Sequence, residues 1–276
     1  MENGITLETF KADHPFADSQ KIGSLYKFFN YNEKNPEYLE DLFLNRNLYH
    51  SLPEKLNDPF ECKPLFSVKN TPHQQYLLRK SLMDLVKRRG HSNSQARDIV
   101  SKNMLNPDKL KQDLSESILN IYQEIRVCCF TTTNTNLLLW SHYANSHKGL
   151  CVEFDSTHAP INITYKVKYQ EHYPTISYPL ERDQTIFKPI LVKSPEWSYE
   201  NEFRSIMHPS APSQPPQTDT CYILDSKTIK AVYFGANILK ENRNRIIDMI
   251  NRGPFKPTLW QSEINKNSYS LNFVKI

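Results

Sequence analysis

Ile118-Leu119-Asn120-Ile121-Tyr122-Gln123-Glu124-Ile125-Arg126-Val127-Cys128-Cys129-Phe130-Thr131 is the stretch where the chain changes its period. Leu110, Leu114, Ile118, Ile121 and Ile125 repeat at helical spacing, whereas the residues from Val127 are β-branched, thiol and aromatic in an unbroken run. A helix starting at Asn106-Pro107 therefore gives way to a strand at Val127–Thr131. Upstream, Thr71-Pro72-His73-Gln74 is a capping-box start, and Leu78, Leu82, Leu85 and Val86 form one helical face that closes at Gly90. Residues 71–126 thus read as a mostly helical block.

Extended segments lie on both sides of that block. Before it, Leu25–Phe29 reads as a strand, Pro36–Asn47 as a helix carrying Leu39, Leu42 and Phe43, and Leu48–Ser51 as a short strand. After it come Leu150–Phe154, Thr164–Tyr169, Glu200–Met207, Cys221–Leu224 and Ala231–Phe234, with a helical turn or two at Asn136–Ala144 and a last helix at Leu239–Arg252. The expected architecture is α+β. One domain over 1–276 is built on one mixed or antiparallel sheet from distant parts of the chain, with 71–126 inserted. Pro209–Gln217 (PSAPSQPPQ) reads as an irregular surface loop between strands.

Composition bounds the function. The 276 residues hold only six glycines, and none are spaced as G-x-G-x-x-G or as a Walker-type loop, so a nucleotide here must be held by other means. A net charge of +4 is mild for nucleic-acid binding. Five cysteines without C-x-x-C argue against a disulfide framework or a zinc ribbon and read as buried strand thiols. No leader-like segment or long apolar run stands in the sequence, so a cytoplasmic protein without membrane association is expected.

Several clusters carry chemistry. His142 and His147 stand five apart, so a helix would not present them as a zinc pair. Asn57-Asp58-Pro59 can close an Asx-type turn, while Asp58 or Glu61 could instead line a cleft. In Trp197-Ser198-Tyr199-Glu200-Asn201-Glu202-Phe203-Arg204, a strand would put Glu200 and Glu202 on one face with Arg204 in line. The aromatic neighbours Trp197, Tyr199 and Phe203 would then tune a carboxylate's pKa.

These segments resemble a bacterial family catalogued as domain of unknown function 2971. The resemblance rests on Leu25–Phe28, Asn57–Glu61, Cys129–Thr131, Leu139–Phe154, Val167–Tyr169, Lys193 with Trp197–Arg204, and Ile229–Gly235. A second resemblance is to the ADP-ribosyltransferase core. It is carried by Leu25-Tyr26-Lys27, Leu48-Tyr49-His50-Ser51, and Glu200-Asn201-Glu202-Phe203 followed by Pro209. The chain departs from that core in having Lys27 for the usual Arg or His, and Ser51 without a serine-threonine-serine run.

The transferase resemblance implies an NAD cleft bordered by Tyr26, Lys27, Tyr49, Ser51, Trp140, His142 and Tyr143, with Asn57, Asp58, Glu61 and Arg204 nearby. Glu202 would face the oxocarbenium-like state formed as the nicotinamide–ribose bond breaks, and Glu200 would orient or deprotonate an acceptor. NAD would be consumed as a substrate, no metal is expected, and the acceptor would be a protein or nucleic acid, as in toxins and phage-defence effectors. Two other readings stand beside it. One is a non-enzymatic recognition pocket; the other is a metal-dependent hydrolase or nuclease using Asp58, Glu61, Glu200 and His142.

Overall fold

The computed structural model describes residues 7–31, 36–180, 183–208 and 216–276. The chain runs through α1 (Leu7–Asp13), β1 (Ser24–Phe29), α2 (Glu37–Asn45), β2 (Asn47–Tyr49) and β3 (Leu65–Val68). Three helices follow, α3 (Pro72–Arg88), α4 (Asn93–Met104) and α5 (Pro107–Glu124), and then β4 (Arg126–Phe130), α6 (Leu137–Tyr143) and β5 (Leu150–Asp155). Short strands β6 (Tyr165–Lys166), β7 (Lys168–Tyr169), β8 (Thr175–Tyr178) and β9 (Val192–Lys193) lead to β10 (Phe203–Met207). The last elements are β11 (Cys221–Ile223), β12 (Ile229–Phe234), α7 (Lys240–Arg252), β13 (Thr258–Ile264) and β14 (Leu271–Lys275). The class is mixed α+β. In the predicted loop Pro209–Gln217, residues 209–215 lie outside the described ones.

The single expected sheet is divided. A five-stranded sheet has the order β1-β5-β12-β13-β14, a separate one has the order β4-β10-β6, and three two-stranded ladders pair β11 with β2, β3 with β8 and β7 with β9. Among the described residues the backbones of the two larger sheets are bridged at one residue pair, in which Tyr26 and Thr131 exchange both backbone hydrogen bonds at 2.8 Å. The predicted strand Thr164–Tyr169 is also broken. Val167 donates its N–H to the Glu202 carbonyl at 2.9 Å, so β6 pairs with β10 while β7 turns to run parallel with β9.

Strand β4 joins two hydrophobic cores because its side chains alternate. Cys128 and Phe130 pack with Leu25, Leu42, Phe43 and Phe154 in a core roofed by α2 and α7. Val127, on the opposite face, packs with Leu78, Val100, Ile118 and Ile125 of the helical block. The helical block is thereby anchored beneath the strand that follows it. The cysteines of β4, β5 and β11 fit the reading of strand thiols, but Cys62 stands in a turn at φ 57°. Gly149 cannot take a side chain without movement of the backbone, because a Cβ there would collide with the Phe29 carbonyl oxygen. The α6–β5 connection therefore packs backbone against backbone beside β1.

Candidate functional site

The E-x-E segment is not the strand its alternation suggested. Pro195–Glu200 forms a 3-10 turn, Asn201 is left-handed at φ 44°, and β10 starts only at Phe203. Asn tolerates that backbone better than most residues, and the reversal brings both carboxylates to one point. That point is Lys193 at the end of β9. Its Nζ lies 2.7 Å from Glu200 Oε2, 3.3 Å from Glu202 Oε2 and 3.0 Å from Glu61 Oε1. The Trp197 ring covers the ammonium at 4.6 Å.

Arg204, fully buried, completes the cluster. Its Nε donates to Glu202 Oε1 at 2.7 Å, Nη2 to Glu202 Oε2 at 2.9 Å and also to Glu61, and Nη1 to the Ile190 carbonyl at 2.7 Å. Three acids and two bases are thus buried together, at a desolvation cost of several kcal/mol per ion that hydrophobic packing would not incur. A hydrogen-bond chain leads outward from them. Tyr143 donates to Glu200 Oε1 at 2.6 Å, and Asn57 Nδ2 donates to the Tyr143 oxygen at 2.8 Å.

The two neighbouring carboxyls are driven apart in acidity. Burial raises Glu200, the charge of Glu202 adds to that, and the Lys193 and Tyr143 hydrogen bonds do not reverse it. Burial would raise Glu202 as well, but Arg204 and then Lys193 outweigh it and hold Glu202 below the ordinary carboxylate value. Burial would lower Lys193, but Glu202, Glu61 and Glu200 hold it above its ordinary value. Burial and then Glu200 push the Tyr143 phenol up. One acid is therefore fixed in its ionised form beside another that takes up a proton more readily than usual.

The cluster forms the floor of a cavity of about 280 Å³. Tyr26, Phe28, Phe130 and Tyr143 contribute aromatic wall, and Lys27, Ser51 and Asn57 contribute polar groups. Ser51 is tied to Val127 by both backbone hydrogen bonds, at 2.7 and 2.8 Å, and Lys27 Nζ donates to the Cys129 carbonyl at 3.2 Å. Residues from the three motif segments, Lys27, Ser51, Glu200 and Glu202, thus line one cavity, together with Glu61 and Arg204.

Four of the expected site residues lie elsewhere. Trp140 is buried beneath β1, edge-on to Phe28 at 5.1 Å, because it is on the inner face of α6. His142 is exposed on that helix and does not line the cavity. Tyr49 packs against Tyr38 at 5.1 Å. Asp58 accepts the Phe60 N–H at 2.9 Å in the Asx-type turn and borders a separate small pocket behind Glu61. Lys193 is among the residues that carry the family resemblance, yet nothing in the sequence marks it as a site residue.

Residues 139–205 match a family model described as Protein of unknown function (DUF2971). The DUF2971 match runs from α6 into β10 and contains Tyr143, Lys193, Glu200, Glu202 and Arg204, but not Lys27, Ser51, Asn57 or Glu61. No curated protein and no solved structure matches the chain. Among the described residues no helix is long and apolar enough to cross a membrane.

Proposed function

We propose that this is an ADP-ribosyltransferase-like enzyme, which breaks the nicotinamide–ribose bond of NAD and passes ADP-ribose to a macromolecule. The observation that carries the reading is the convergence of Lys27, Ser51, Glu200 and Glu202 on one aromatic-walled cavity. In this reading the two carboxylates keep separate roles, Glu202 as fixed charge and Glu200 as base. Both Glu202 oxygens are engaged by Arg204, and Oε2 also by Lys193, so Glu202 serves as fixed negative charge facing the developing oxocarbenium ion. Glu200, with its raised pKa and its link to Tyr143, takes the acceptor's proton as general base. Lys27 supplies positive charge for a phosphate, and Tyr26 or Tyr143 a face for the nicotinamide ring. A role as toxin or phage-defence effector belongs to the same reading.

The engagement of Glu202 also favours a second reading, a rigid recognition pocket without turnover. The metal-dependent reading has less support, since the protein's own Lys193 ammonium stands among the three carboxylates while Asp58 and His142 lie away from them. The test is to incubate the protein with NAD labelled in its adenylate phosphate and with cell extract. Transfer of label to macromolecules is expected, and Glu200→Gln lowers it by about 100-fold or more while its thermal melt shows that the variant remains folded. Absence of transfer with every extract overturns the enzyme reading. Unchanged transfer by Glu200→Gln overturns the role of Glu200.

A further inference from the structure

The mild net charge of the whole chain hides a strong local asymmetry. From Pro72 to Met104, the α3–α4 hairpin contains seven Lys or Arg and two Asp, a net charge of +5 in a chain whose total is +4. The next helix, α5, reverses the balance with two Lys against four acids. The hairpin bases are Arg79, Lys80, Lys87, Arg88, Arg89, Arg97 and Lys102, and all are exposed. Lys102 is paired with Asp98 at 2.8 Å; the others make no ion pair with a described residue.

The fold aligns several of these charges. Arg79 Nη2 donates to Ser101 Oγ at 2.7 Å across the two helices, which fixes their facing sides. Arg97 lies one turn before Ser101 on α4, and Lys80 is next to Arg79 on α3. Tyr76, Lys80 and Lys87 follow at spacings of four and seven, so they form one stripe in which the two ammonium-bearing residues are about 10 Å apart along the axis. Tyr76 is 63% exposed on that stripe and offers a ring for stacking. Leu77 flanks this stripe three residues before Lys80 while Leu85 lies on another side of the helix, so the exposed leucines do not form the continuous apolar band that a membrane-surface helix needs. The hydrophobic sides of the helices are already spent on the second core, through Leu78, Leu82 and Val100.

We propose that the exposed face of the α3–α4 hairpin docks the phosphate backbone of a nucleic acid, without reading its bases. The partner chemistry is that of closely spaced phosphates, which Lys and Arg neutralise with release of bound counterions. The inference stands on the hairpin alone and does not depend on NAD chemistry in the cavity.

Anisotropy of a fluorescein-labelled duplex DNA, and of a single-stranded RNA of the same sequence, titrated with the full chain tests it. Binding to at least one probe is expected, weakening steeply between about 50 and 200 mM salt. Lys80→Gln/Lys87→Gln/Arg97→Gln is expected to weaken it by about tenfold or more and to reduce the salt slope by about 2 to 3. The matched variant Lys240→Gln/Lys266→Gln/Lys275→Gln is expected to leave both nearly unchanged. Lack of salt-dependent binding to either probe overturns the proposal, as does equal loss in the two triple variants. Binding to phosphatidylserine vesicles but to neither nucleic acid also overturns it.

Discussion

Arg204 touches both neighbouring acids and a backbone carbonyl while having no exposure to water, so its removal strands charge rather than merely losing a contact. Arg204→Met is expected to destabilise the fold by about 3–5 kcal/mol. Adding Glu202→Gln should recover part of that loss, which urea unfolding of the single and double variants measures. Additive losses would show that the two groups act independently. The carboxylates were legible in the sequence because acids crowded among aromatic residues demand an explanation. Lys193 was not, because a lysine ending the apolar run Ile190-Leu191-Val192 has no periodic or compositional mark. Trp140 and His142 misled for a related reason: a dense motif shows that a segment matters, not which of its residues face a cavity.

At the scale of the element, the decisive feature is the turn between the two glutamates. Asn201 sits at φ 44°, where a β-branched side chain is strained. Asn201→Val should cost about 1–3 kcal/mol and separate the two carboxylates, whereas Asn201→Gly should stay within about 1 kcal/mol of the parent. Thermal melts and label transfer together distinguish strain from loss of chemistry.

The strand pair β2–β11 and the neighbouring β10 meet at His50, whose Nε2 lies 2.9 Å from Ser205 Oγ. Burial pushes its pKa from 6.5 down to about 3. The unfolded chain therefore binds this proton more readily than the folded one between those values, and stability falls as pH drops through that window. His14, also lowered by burial, acts in the same direction, and Glu202 adds a further loss only below its ordinary 4.5. His50→Gln should flatten the upper part of the decline, and identical slopes for variant and parent would contradict the assignment. Long periodic helices such as α3 and α5 were readable from sequence. Helix α4 was not, because it buries only Ala96 and Val100, and the edge strands β13 and β14 mix polar and apolar residues without clean alternation.

For the whole molecule, the sequence revealed the α+β class and the helical block but not the division of the sheet. A one-residue bridge between Tyr26 and Thr131 leaves no signal in hydrophobic pattern, yet it sets the two sheets edge to edge beside the cavity. The same holds for charge: a total of +4 conceals the basic hairpin, which becomes a surface only once α3 and α4 are folded against each other. In the proposed reaction this assembly presents Glu200 as a reactive carboxylate to NAD. The most direct measurement is the pH dependence of nicotinamide release from NAD in the presence of a competent extract. Release is expected to rise with pH along an acidic limb whose apparent pKa lies above the ordinary 4.5 of a glutamate, because a general base acts only when deprotonated, and Glu200→Gln should lose both that limb and most of the turnover. No release of nicotinamide at any pH, or an unchanged profile in Glu200→Gln, would contradict it.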